Sequence, residues 1–491
     1  MRKFGASLIS IVVILGALEF EALGQTMVVP SVTASERYDS NVFSTSKQLL
    51  SGLRLRGEDY VTSVVPQVSL MHKGNYVIGF IQGGATGEKY VNNPGLDYVG
   101  YNGTVSADLT PSVRRLDPNA SLYVRGSTFY TPQVPGFLGT SADAQSQNPL
   151  IRGIQVTRTN TLASSGTVGG GYRVSPTSSL FGSYTYSSVS FGSEVGPTRS
   201  VQLFNTNTHN ANLGVAKTLS PLDTVSIRYG YSIAEQPGAD NFKTHAVSGA
   251  WSRVLTPSWS SNVSGGVQIF EPQRSDSGVV LIEGGKLAPT GSFSLFYKTK
   301  LDPLIGGRSE GDGAGFLSTS GSSALSPQGM VPGVPTAMSL PGSTSFGINY
   351  SVGVYPGYGQ QTGAMISHLV SMQAAYGLSD RMVVGGSVGY SKSDSVSNGA
   401  AGNAGQQFSF TSVNTTATIS YLLTSNFRLA LIHSFTDFRN DAAPESSFQR
   451  HTGMLLLSYV FGAGFNSSAA MFSSNPPASG MQGGESGAEK K

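Results

Sequence analysis

The stretch SVNTTATISYLLTSN, residues 412–426, limits what this chain can become more than any other feature. Val413, Thr415, Ala417, Ile419, Tyr421 and Leu423 share one parity, Ser412, Asn414, Thr416, Thr418 and Ser420 the other, and none is charged. Successive side chains of a strand point to opposite faces, so period two reads as β-strand. A strand facing bulk water normally uses charge to stay soluble and to protect sheet edges. A strand apolar on one side, polar on the other and ionised on neither fits a wall between lipid and a polar lumen.

The pattern recurs. Val99, Tyr101, Val105, Ala107 and Leu109 alternate with Gly100, Asn102, Thr104, Ser106 and Asp108, and Val225, Ile227, Tyr229, Tyr231 and Ile233 alternate with Thr224, Ser226, Arg228, Gly230 and Ser232. Composition agrees: 12% of residues are Asp, Glu, Lys or Arg, about half the roughly 25% of a soluble domain. Short connections share one chemistry, an apolar residue followed by a Thr, Ser, Pro or Asp turn: LTPS (109–112), VSPTS (174–178), LSPLD (219–223), LTPSW (255–259), LDPL (301–304), LSDR (378–381) and LTSN (423–426). HKGN (72–75) completes the set, and longer polar loops alternate with these turns. The spacing predicts an all-β fold, an antiparallel transmembrane β-barrel of the outer-membrane type with about eighteen strands and its short turns at the periplasmic rim. Backbone groups in lipid must all be paired, so such a sheet has to close. A soluble β-solenoid is disfavoured because the segments lack a fixed repeat length.

Residues 1–24 read as a secretory signal peptide: Arg2 and Lys3 precede an apolar run, and Ala22 and Gly24 are the small residues of a cleavage site. The absence of cysteine excludes a disulfide scaffold, thiolate metal sites and lipidation at an N-terminal Cys. The expected location is the bacterial outer membrane, with its lipid as first partner. A net charge of +3 excludes a nucleic-acid partner. The barrel is expected over 25–461. GMLLLSYVF (453–461) ends on an aromatic residue and resembles the C-terminal insertion signal of Gram-negative outer-membrane proteins. Residues 462–491 read as a disordered periplasmic tail. The Gly/Ser/Pro-rich insert 306–343 falls on the periplasmic side, as a loop or as a segment meeting the lumen or a partner.

ASERYDSNVF (34–43), with Tyr38-Asp39-Ser40-Asn41-Val42 on the first strand, resembles the β-barrel porins associated with bacterial exopolysaccharide gene clusters, and YSVGVYPGYGQQTG (350–363) looks like the same family. That resemblance implies a conduit exporting a polysaccharide passenger, with periplasmic export or co-polymerase proteins as partners. The alternatives are a general diffusion porin for small solutes and a structural or adhesive surface barrel.

Parity assigns Arg37, Asp39, Asn41, Asp108, Arg125, Arg173, Arg228, Lys298 and Arg428 to the lumen, where charge sets selectivity. Wall ion pairs that satisfy one another are the competing reading for each. Tyr123 and Phe296 share lumen parity and are the candidate carbohydrate contacts. Trp259, Tyr376, Leu378, Tyr421, Leu423, Tyr459 and Phe461 take the other face as an interfacial belt. The six histidines show no metal-ligand spacing, GTVGGG (166–171) has no helix after it to make a phosphate loop, and no motif suggests catalysis, a metal or a cofactor.

Overall fold

The computed structural model describes residues 25–131, 159–194, 205–235, 241–271, 273–274, 280–282, 287–299, 342–356, 364–395, 409–441 and 447–462. Residues 1–24, expected to be a signal peptide, and nearly all of 306–343 and 462–491 lie outside these residues. Twenty strands are present among them: β1 (Gln25–Asp39), β2 (Asp59–Lys73), β3 (Ile78–Tyr90), β4 (Tyr98–Asp108), β5 (Ala120–Thr131), β6 (Thr159–Ser175), β7 (Ser178–Glu194), β8 (Thr206–Ser220), β9 (Asp223–Glu235), β10 (Phe242–Thr256), β11 (Trp259–Phe270), β12 (Gln273–Arg274), β13 (Val280–Ile282), β14 (Leu287–Lys298), β15 (Thr344–Pro356), β16 (Ala364–Gly377), β17 (Met382–Ser395), β18 (Ser409–Leu422), β19 (Phe427–Asn440) and β20 (Phe448–Val460). All but the small β12–β13 hairpin join one antiparallel sheet of 18 strands. Each strand pairs with its neighbours in sequence, and β1 pairs with both β2 and β20, from Ser31↔Val460 to Asp39↔Thr452. The sheet is therefore a closed barrel with no free edge, the outer-membrane architecture that the alternation predicts.

The register fixes which residues look inward. On β18, Thr418 (2% exposed) and Ser420 (4%) are covered while Ile419 (42%) and Tyr421 (37%) are bare. Charged residues on the outward face, Glu36, Lys89, Lys217, Asp223, Glu235, Lys243, Arg253, Lys392, Asp394, Asp437 and Arg439, all lie near a strand end. Among the described residues the middle of the outer wall is uncharged, as a hydrocarbon band requires, since an Arg or Lys at mid-membrane costs about 2–4 kcal/mol. A tilted strand needs only about 9–11 residues to cross that band. Most of these strands run 12 to 17 residues, leaving their ends in the interfaces. Ring pairs mark the short-turn interface: Trp259 with Tyr297 (4.7 Å between centroids), Phe427 with Tyr459 (4.4 Å) and Tyr459 with Phe461 (4.6 Å).

Turns of two residues join β6 to β7 (176–177), β8 to β9 (221–222) and β10 to β11 (257–258). Ser220 Oγ accepts from the Leu222 and Asp223 amides, and Thr256 Oγ1 from those of Ser258 and Trp259, which is why Ser and Thr mark these corners. The connection from β4 to β5 is longer than the tight turn that LTPS suggests. It spans 109–119 and contains one helical turn, Thr110–Val113.

The first long loop, 40–58, folds onto the inner wall rather than out into solvent. It carries a short helix, Lys47–Gly52, whose Ser46 Oγ accepts from the Leu49 amide at 3.2 Å. Val42, Phe43 and Leu50 pack with the inward residues Val61 and Tyr90 and with Leu96. Burying a side chain such as Phe43 contributes about 1.5–3 kcal/mol, so the cluster holds the loop down. Further inward apolar clusters line the long-loop end, Phe242 with Phe270 and Met365 with Phe410, Phe438 and Phe448.

Candidate functional site

The inner wall is built of hydroxyls and amides. Neighbouring strands present inward pairs Thr33–Ser458 (2.9 Å), Thr167–Thr185 (2.9 Å), Ser264–Ser292 (2.7 Å), Ser367–Ser393 (2.7 Å) and Ser434–Thr452 (3.0 Å). These pairs satisfy the wall while leaving lone pairs toward the lumen. Against this neutral ladder the inward charges stand out, and most of them fall into two groups.

The first group sits at the long-loop end of the seam between the first and last strands. Asp39 is fully buried and receives Arg450, whose Nε lies 3.0 Å from Oδ1 and whose Nη2 donates to Oδ2. Arg37 Nη2 donates to Glu88 Oε2 at 3.2 Å, and its Nε stands 4.0 Å from Asp39 Oδ2. Tyr90 Oη donates to the same Glu88 oxygen at 2.8 Å. Two acids and two bases therefore cancel, so the group adds little to the field in the lumen.

Asn41 differs from its parity assignment. It lies past the end of β1 in the first loop, 5% exposed, and serves as a turn residue rather than a wall residue. Its amide N–H donates to Asp39 Oδ1 (3.0 Å), its Nδ2 to Thr45 O (2.8 Å) and Gln449 O (3.3 Å), and its Oδ1 accepts from the Thr45 amide. Parity fails here because the chain leaves the sheet at Ser40. The YDSNVF stretch thus becomes a clasp that joins loop, first strand and last strand.

Asp108 is inward at the short-turn end of β4, where Oδ1 accepts from the Thr110 amide at 2.9 Å. It closes a turn at the rim and keeps its negative charge there.

The second group is basic. The register places Arg125, Arg173, Arg228, Lys298 and Arg428 on the inner wall, from mid-barrel to the short-turn rim. Arg125 lies with its guanidinium carbon 5.0 Å from the Tyr123 ring centroid. Arg428 Nε donates to Ser420 Oγ at 2.6 Å. Arg228 is exposed to the lumen. Among the described side chains, the inward acids are Asp39, Asp59, Glu88 and Asp108, all on β1–β4, and β5 through β20 have none. Asp59 is likewise held in place by neutral donors, accepting from the amides of Tyr60 and Asn92 and from Asn93 Nδ2.

Tyr123 and Phe296 both face inward beside glycine. A Cβ on Gly169 would come within 2.5 Å of Tyr123 Oη, and one on Gly347 within 3.0 Å of Phe296 Cδ1. Each ring therefore lies along the wall across its neighbour's missing side chain instead of projecting into the lumen. Phe296 stays 40% exposed, a flat apolar face on a polar wall.

Sequence reasoning missed Arg450 and Glu88. Counting parity back from Leu455 would have placed Arg450 inward, but its partner is 411 residues away and meets it only on closure.

No family model matches the chain, and no curated protein does. Solved structures similar to it include Pseudomonas aeruginosa OccK3 (OpdO), at 11% identity and TM-score 0.37 over 88% of this chain and 95% of that one. P. aeruginosa OprD is similar at 8% identity and TM-score 0.38, over 88% and 95%. Acinetobacter baumannii OccAB3 is similar at 12% identity and TM-score 0.36, over 88% and 99%. At these scores the functional reading rests on the barrel's own residues.

Proposed function

We propose that the protein is a diffusion channel of the bacterial outer membrane for small polar solutes, with a preference for anions. One observation carries this reading: among the described residues every inward charged side chain from β5 to β20 is basic, set in a wall of Ser, Thr, Asn and Gln. At about 0.1 M salt the Debye length is about 10 Å, so fixed cations on the wall reach well into the water beside them and concentrate anions there. Hydroxyls and amides replace part of a solute's hydration without binding it tightly, which passage requires. The first loop packs onto inward residues at the long-loop mouth, an arrangement that suits small solutes better than a polymer.

The polysaccharide passenger and the periplasmic export or co-polymerase partners implied by the sequence resemblance form the competing reading. Reversal potentials in planar bilayers under a KCl gradient test both. The purified protein alone should form steady open channels with chloride permeability above that of potassium. Cation preference, or a closed barrel in the absence of other proteins, would overturn the proposal, and loss of surface polysaccharide on gene deletion would favour export.

A further inference from the structure

The outer wall carries a cleft that the channel reading does not use. Tyr38 and Tyr60 are directly paired across β1 and β2 and face outward near the long-loop end, 37% and 52% exposed, with ring centroids 5.3 Å apart and planes tilted by 52°. Beside them lie Arg56 and Glu58 from the end of the first loop and Asn92 from the connection between β3 and β4, around a cavity of about 260 Å³. Arg56 Nη2 donates to Glu58 Oε1 at 2.9 Å and Arg56 Nη1 to Asn92 Oδ1 at 3.1 Å, so a planar polar array lies next to the rings. The floor is rigid because buried Asp59 ties both loops together: its carboxylate takes the amides of Tyr60 and Asn92, and Asn93 Nδ2 reaches both Asp59 Oδ2 (2.8 Å) and Arg56 O (3.1 Å).

Exposed aromatic faces beside planar donors and acceptors suit a sugar ring. The C–H face of a pyranose covers apolar ring surface while vicinal hydroxyls engage the carboxylate, amide and guanidinium. A lipid tail would strip water from these polar groups and return no hydrogen bond, and an isolated phosphate would meet Glu58 as well as Arg56. The volume is below the roughly 300–1,000 Å³ of drug-sized sites, room for one or two sugar rings rather than a chain. Position names the source. The cleft opens outward, next to the uncharged band, at the level where outward Tyr–His pairs such as Tyr229–His245 (2.7 Å) and Tyr184–His209 (2.7 Å) mark the outer interface. That is where glycolipid headgroups of the outer leaflet stand. We infer that Tyr38, Tyr60, Arg56, Glu58 and Asn92 form a binding site for a core sugar of an outer-leaflet glycolipid. The inference is independent of what the lumen conducts.

The test titrates the full-length protein in detergent micelles with rough lipopolysaccharide, which carries core sugars on lipid A, and counts retained adducts by native mass spectrometry. Tyr60→Ala and Arg56→Ala should each weaken retention about tenfold, equivalent to about 1.4 kcal/mol. Tyr60→Phe should retain it, and free core oligosaccharide should compete. Channel conductance and the heat-dependent gel mobility of the barrel should match wild type in every variant, which separates loss of the site from loss of the fold. Equal retention of lipid A lacking sugars, or unchanged retention in both alanine variants, would overturn the proposal.

Discussion

Replacing Asp39 with alanine tests whether the barrel is held shut by a buried charge. The substitution removes the acceptor of three Arg450 contacts and of the Asn41 amide, and leaves Arg37 with Glu88. Stranding one partner of a fully buried pair costs about 3–5 kcal/mol. Arg450 is 22% exposed at its side chain, so water recovers part of that, and a loss of about 2–4 kcal/mol is expected. Removing both charges in Asp39→Leu/Arg450→Met should cost much less, because no unpaired ion remains. The assay is reversible urea unfolding in lipid vesicles, followed by Trp251 and Trp259 fluorescence and by gel mobility, as a double-mutant cycle. The coupling should stabilise the native pair by at least about 1.5 kcal/mol. A single-mutant loss under about 0.5 kcal/mol, or additivity within that margin, would refute a closing role for the pair.

Four further outcomes are expected. Arg228→Glu should lower the chloride-to-potassium permeability ratio, and in wild type the ratio should fall toward unity in 1 M salt, where the Debye length is about 3 Å; reversal potentials read both. Ile419→Arg should slow insertion and destabilise the barrel by about 2–4 kcal/mol, whereas Thr416→Arg, on the opposite parity and pointing into the lumen, should assemble normally; folding yield in vesicles decides. Gly347→Leu should lift the Phe296 ring off the wall and reduce single-channel conductance with little loss of folding, and unchanged conductance would place that ring away from the conduction path. Phe43→Ala should loosen the first loop at a cost of about 3–5 kcal/mol to its packing, raising open-channel current noise.

Strand content and face were legible because both are local. Parity at Ile419 and Thr418 needs only the residues on either side, and the missing mid-strand charge on one parity reports directly on lipid. The turns were legible for the same reason, since Ser220 and Thr256 close their corners within three residues. Where the chain leaves the sheet, parity carries no information. Asn41 therefore became a clasp rather than a wall residue, and the LTPS corner became a helical turn. Tyr123 and Phe296 had the right face, but only packing shows that glycines on neighbouring strands let them lie flat.

The sequence alone determined a barrel with a polar interior. Alternation without charge leaves no other surroundings for such strands, and an edge in lipid would be unpaired. Tertiary structure decided which charges count. Closure carries Arg450 to Asp39, and the pairing of β1, β2 and β3 sets Glu88 beside Arg37, so one basic and acidic cluster cancels at the mouth, while the described inward charges from β5 to β19 are basic, Arg125, Arg228 and Lys298 among them. Coulomb interaction depends on distance in space, and the spacing of residues along the chain does not record it.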